Sequence, residues 1–155
     1  MPKLASKVIA SGTASLPPEP PATLGSVAAP SAASFLFAQA NQSRERGVYD
    51  AALRSYAKLI DTSPQEPEAN AARVMLGRLL LDRGEPQAAP TQFEAYLRSG
   101  ANTLGEEAQL GCALALRKVG RVADEIQAWQ ALLAAYPDSV HAARAQERLS
   151  ELGVQ

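Results

Sequence analysis

The chain has 155 residues, 46% hydrophobic, 5% aromatic and 20% charged, with a formal net charge of -1. That length suits one domain with its own core, and near-neutral charge argues against a nucleic-acid or anionic-membrane binder, which carries a basic excess. One Cys and one His exclude an internal disulfide and a zinc set of the usual Cys/His kind.

Six of the eleven prolines lie in the first thirty residues, and the run Ser15-Leu16-Pro17-Pro18-Glu19-Pro20-Pro21-Ala22 has no apolar period. Such a stretch buries too little surface to offset its ordering entropy. Residues 1–30 therefore read as a disordered, partly polyproline II tether rather than as an SH3-type ligand. Lys3 and Lys7 resemble the basic start of a secretory signal, but only Val8-Ile9-Ala10 follows Lys7, short of the roughly 7–15 apolar residues such a signal needs. No run approaches the roughly 18 apolar residues of a membrane span. As written, the chain reads as cytoplasmic with no direct membrane insertion. As the tail of a longer anchored protein, it reads as periplasmic.

Beyond the tether, three segments align without gaps. They begin at Gly47, Gly84 and Gly120, in steps of 37 and 36 residues, and Tyr56, Phe93 and Trp129 step identically. A fixed period of this size marks a repeat architecture. Each unit predicts a helical hairpin. Apolar-rich helices precede each Gly, carrying Phe35, Leu36, Ala38 and Ala40, then Val74, Leu76 and Leu79–81, then Leu110, Ala113, Leu114 and Leu116. Each Gly suits the left-handed position after a helix. Ala52, Tyr56, Leu59 and Ile60 then recur at helical steps. The aromatic is expected to fill the seam between neighbouring hairpins.

Start signals predict the remaining boundaries. Thr103 to Glu106 reads as a capping box, and Pro67 and Pro86 suit first-turn positions. Pro90 would remove a bond inside a helix, so that helix is expected to begin late, near Gln87, or to kink. Asp138 or Ser139 is expected to cap a last helix carrying Val140, Ala143, Leu149 and Leu152. The expectation is an all-α, right-handed solenoid of three hairpins, at about 33–66, 70–103 and 106–139, with a capping helix at about 139–152. Each helix should have about 12–18 residues, too short to be stable alone, so stacking must hold them.

The pattern Gly-x-Tyr-x-x-Ala-x-x-x-Tyr/Phe followed by Pro resembles the tetratricopeptide repeat, as does Leu76-Gly77-x-x-Leu80. Three departures stand out. Glu125 replaces the usual Ala, Pro86 the usual Tyr, and Gly100-Ala101 the closing Pro. The ending Ala135-Tyr136-Pro137-Asp138-Ser139-x-x-Ala142 is similar to bacterial envelope members, such as the outer-membrane assembly lipoprotein D and the Tol-Pal cell-division coordinator. The order of linker and repeats is similar to periplasmic tails of myxobacterial anti-sigma-factor and FecR-like regulators.

The resemblance implies that the first helix of each hairpin lines a concave groove holding a protein or peptide. Carried over by position, that groove comprises Phe37, Asn41, Arg44 and Glu45 from the first unit, Val74, Arg78, Leu81 and Asp82 from the second, and Leu110, Leu114, Arg117 and Lys118 from the third. An apolar stripe beside Arg and Lys suits an extended or helical peptide with an acidic group. The carboxylate-clamp subtype is disfavoured, because Phe37 and Met75 stand where it needs Lys and Asn, and only Asn41 fits. The resemblance gives Tyr56, Phe93 and Trp129 a structural role at the seams. Self-association through the terminal helices is a further possibility.

No phosphate loop, dinucleotide fingerprint or nucleophile elbow is present, so the chain reads as non-catalytic and without a cofactor. His141 reads as a partly exposed residue in the first turn of the last helix. Cys112, beside Ala113 and Leu114, reads as a small buried hydrophobe. Glu106 and Glu107 read as first-turn acids favouring the helix dipole.

Overall fold

The structure is a computed structural model that describes residues 29–154. The expected tether and signal-like segment lie almost wholly outside them. Among the described residues there are seven α-helices and no strand. They are α1 (Ala32–Glu45), α2 (Tyr49–Thr62), α3 (Pro67–Asp82), α4 (Ala89–Arg98), α5 (Gly105–Val119), α6 (Val122–Ala135) and α7 (Ala142–Glu151). Three hairpins, α1–α2, α3–α4 and α5–α6, stack in chain order, and α7 packs on α6. The first helices of successive hairpins also touch, α1 with α3 and α3 with α5. They form one continuous face.

Glycine ends the first helix of every hairpin. Gly47, Gly84 and Gly120 have φ of 74°, 75° and 75°, the left-handed region that costs glycine little. Chain reversal at a repeating interval brings each second helix back along its predecessor.

Phe93 is wedged between α3 and α5. A Cβ at Gly77 would lie 2.7 Å from the Phe93 ring, and one at Gly111 would lie 2.4 Å from it. Both helices thus lack a side chain where the ring enters. Tyr56 and Trp129 are also fully buried. Trp129 donates its indole N–H to Glu125 Oε1 at 3.1 Å, and Arg148 of α7 grips the same carboxylate with contacts of 2.7 and 3.3 Å. Burial would push the Glu125 carboxyl up, but these two donors override it and hold it below the ordinary value. The departure at Glu125 is therefore a buried anchor that fastens the last helix.

Several boundaries differ from expectation. Helix α4 starts at Ala89 and has 10 residues, so Pro86 lies in the preceding turn. Starting there puts Pro90 in the first turn, where its missing N–H costs nothing. Thr103 is not a cap: the residue flanking α5 is Leu104, whose N–H donates to Tyr96 Oη at 2.7 Å. Helix α7 also has only 10 residues, begins at Ala142 and receives no side-chain cap from Asp138 or Ser139. The Ser139 hydroxyl donates instead to Glu106 at 2.6 Å and accepts the His141 N–H at 3.0 Å. That fixes a turn before the helix and leaves Val140 exposed. Ala145 and Leu149 bury in place of Val140 and Ala143. Phe35 is exposed as well, on the helix that has no described hairpin before it.

Candidate functional site

The continuous face formed by α1, α3 and α5 carries a cleft of ≈ 650 Å³. Arg78, Leu81 and Asp82 of α3 form one wall. Glu106, Glu107, Leu110, Gly111 and Leu114 of α5 form the other, and Thr103, Leu104 and His141 close its ends. Leu81, Leu104, Leu110 and Leu114 are half-buried, an apolar floor left uncovered by the other described residues.

Two contacts place the α5 end of the cleft. The Leu104 N–H to Tyr96 hydroxyl bond ties the incoming loop to α4. Gly105 takes the Tyr136 hydroxyl where a Cβ would lie 2.2 Å from it. Together they hold the first turn of α5, and with it Glu106 and Glu107, against the cleft. Arg78 pairs with Glu107 across it. Glu106 accepts the Ser139 hydroxyl, whereas Asp82 has no ion-pair partner among the described residues.

Sequence position places the groove residues unevenly. Arg78, Leu81, Leu110 and Leu114, with Asp82, meet in this cleft. Arg44 lies in a neighbouring hollow of ≈ 350 Å³ with Tyr49, Met75, Arg78, Leu79, Asp82 and Arg83. Phe37 is half-buried on Tyr56, ring centroids 6.2 Å apart, and Asn41 accepts the Tyr56 hydroxyl at 2.5 Å. Glu45 is exposed at the end of α1. Val74 is not a groove residue: it is fully buried in the core that α3 shares with its neighbouring helices. Arg117 and Lys118 do not line the cleft; they are exposed in the last turn of α5, where cations favour the helix dipole.

The charge balance at this cleft is more acidic than the expected stripe of Arg and Lys. Three carboxylates, from Asp82, Glu106 and Glu107, face one guanidinium, Arg78. Glu106, Glu107 and His141 were missed as cleft residues because the carried-over positions run from the middle of each first helix to its end. The cleft also uses a helix start and an incoming turn. The period offers no signal for either.

Cys112 lies on a buried face of α5, and burial pushes its thiol up to about 12, which leaves it protonated and poorly nucleophilic at neutral pH. Among the described residues no three His, Cys, Asp or Glu side chains group as a metal site, and no helix is long and apolar enough to cross a membrane.

The family profile described as "Tetratricopeptide repeat" matches residues 37–103 and 74–140, which together span most of the helical stack. No curated protein matches the chain. Three solved structures share the fold. The "Arabidopsis OM64 TPR domain" is 15% identical, with 77% of this chain and 95% of that one covered at a TM-score of 0.65. The "First TPR of Spaghetti (RPAP3) bound to HSP90 peptide SRMEEVD" is 16% identical, with 77% and 91% covered at a TM-score of 0.65. The MamA protein is 22% identical, with 66% and 53% covered at a TM-score of 0.59.

Proposed function

We propose, from the premise that this chain belongs to the tetratricopeptide repeat family, that it is a non-catalytic interaction module holding a protein segment in the cleft between α3, α5 and the turn before α7. The carrying observation is the uncovered floor of Leu81, Leu104, Leu110 and Leu114 beneath a charged rim. Apolar floors with a few placed polar groups are the common form of a recognition groove. The Spaghetti repeat, solved with an HSP90 peptide, supports peptide binding as a use of this fold. Residues 1–30 would serve as a tether. A setting in cell-envelope assembly or signalling, including a regulatory tail of the anti-sigma-factor or FecR-like kind, rests on the Ala135–Ala142 pattern and the linker-then-repeats order.

The test is photo-crosslinked partner capture by the full chain with the reactive group at Leu114, compared with a Leu114→Glu variant whose helical circular dichroism is unchanged. Capture that is lost in the variant supports the groove. Capture unchanged in Leu114→Glu and in Leu110→Glu would place the binding surface elsewhere. Envelope fractionation of the native protein tests the setting separately.

A further inference from the structure

We propose that the cleft between α3 and α5 selects a short extended segment of a partner protein, in which two apolar residues are flanked on both sides by Lys or Arg. The inference rests on the groove reading above and names the chemistry of its ligand.

The argument is one of charge complementarity above an apolar floor. The lining holds three carboxylates and one guanidinium, and Glu107 takes that guanidinium, Arg78. Asp82 and Glu106 have no ion-pair partner among the described residues. Glu106 has two local reasons to be acidic, its place in the first turn of α5 and the Ser139 hydroxyl it accepts. Asp82 has neither. It is the last residue of α3, a helix with no basic residue in its last turn, so its carboxylate stands at the negative end of the dipole, where anions are disfavoured. Arg83, next along the chain, turns its guanidinium to Asp50 and Glu85 instead. An exposed acid that its own helix disfavours, set beside half-buried leucines, complements a cation brought from outside.

Spacing sets the form of the ligand. Arg78 and Glu107 meet across the cleft, and Asp82 lies one turn beyond Arg78, about 6 Å along α3. With the two helices roughly 8–10 Å apart, the backbones at Asp82 and Glu106 stand about 12 Å apart on the diagonal. Five extended residues place their outer two about 13 Å apart. Alternate side chains of such a segment face opposite ways, so the second and fourth reach the floor of Leu81, Leu110 and Leu114 together. The outer two are long amphipathic stems, which lie along apolar surface while their charge reaches the rim. Five residues of helix would separate the two cations by only about 6 Å, too little to serve both carboxylates.

Magnetic resonance titration of the full chain with three capped pentapeptides tests this. They share a Leu-Ser-Leu core and carry Lys, Gln or Glu at both ends. The Lys peptide should shift the Leu110 and Leu114 amide signals and bind about three- to tenfold more tightly than the Gln peptide, the range that two exposed charge pairs supply. The Glu peptide should bind most weakly. Asp82→Asn, at an exposed position, should remove much of the Lys preference and leave the Gln affinity and the urea midpoint unchanged. Equal affinity for the Lys and Gln peptides overturns the proposal. So does a preference for the Glu peptide, a Lys preference that both Asp82→Asn and Glu106→Gln leave intact, or a Lys peptide that leaves the Leu110 and Leu114 amides unmoved. If the charge preference is absent while Leu114→Glu still loses partner capture, the cationic ligand falls and the peptide-binding reading stands. If Leu110→Glu and Leu114→Glu both leave capture unchanged, the two fall together.

Discussion

Phe93 and Trp129 stand 36 residues apart at the same point of successive hairpins, and each is fully buried, yet their surroundings differ in kind. Phe93 is held by absence: Gly77 and Gly111 withdraw their side chains to admit the ring. Trp129 is held by a bond, through an indole N–H to a buried carboxylate that Arg148 reaches from the next helix. A repeat position thus specifies that an aromatic must fill the seam, and leaves open whether close packing or a polar anchor secures it. The second solution appears beside α7, the last described helix, which buries only Ala145 and Leu149.

The largest effect that would break this comparison is removal of the indole. Trp129→Ala leaves a cavity costing about 3–5 kcal/mol, a large share of a typical stability of about 5–15 kcal/mol. Urea titration should find the protein largely unfolded or its midpoint strongly lowered. A cooperative melt near the parent midpoint would remove Trp129 from the core. Next comes Glu125→Ala, which strands the buried indole donor at a cost of about 1–3 kcal/mol and frees α7. Faster amide exchange in Ala142–Glu151 than in α4 is its signature.

Glu125 also makes one seam sensitive to pH and not the other. Its folded-state carboxyl sits below the ordinary value of 4.5. Its contribution is therefore complete above that value and is lost as the pH falls through the lower folded one. The stability gap between the parent and Glu125→Gln should narrow in acid. A gap that widens there would contradict the depressed carboxyl.

Gly111→Ala probes the other seam and is smaller. Alanine gains up to about 1 kcal/mol of helix propensity, but its methyl meets a ring that Gly77 already limits on the opposite side. Overpacking costs typically 1–3 kcal/mol, so a net loss of about 1–2 kcal/mol is expected. That loss should be equal at neutral and acid pH, since Gly77 and Gly111, between which the ring sits, do not titrate. A stabilised Gly111→Ala would show that the ring has room.

The two seams also show what the sequence could and could not disclose. Period and composition placed the helix-ending glycines and the three buried aromatics, because both follow from spacing along one chain. Glu125 was visible as a departure from the pattern, but its partner Arg148 lies 23 positions away and off the period. Only the packing of α7 on α6 joins them. The same limit applies in the cleft. Val74 shares a helix face with Arg78, yet neighbouring helices cover one and expose the other. Glu106 and His141 enter the cleft from a helix start and a turn, whose positions depend on Tyr96, Tyr136 and Ser139.

The smallest expected effect on stability is the most informative about function. Arg78 pairs with Glu107 while 57% exposed, and exposed pairs contribute about 0–1 kcal/mol. Arg78→Ala should therefore barely move the urea midpoint. Its effect on the cleft should be larger, because Arg78 is the one guanidinium among the described lining residues, and removing it releases Glu107 and raises the carboxylates without an ion-pair partner among the described residues from two to three. A synthetic basic, apolar peptide should bind Arg78→Ala more tightly than the parent, and 0.5 M salt, whose Debye length is about 4 Å, should erase most of the difference. An acidic peptide should show the opposite preference. If instead Arg78→Ala weakens the basic peptide and the parent favours the acidic one, Arg78 is the recognition residue and the groove selects carboxylates, as the sequence pattern alone suggests.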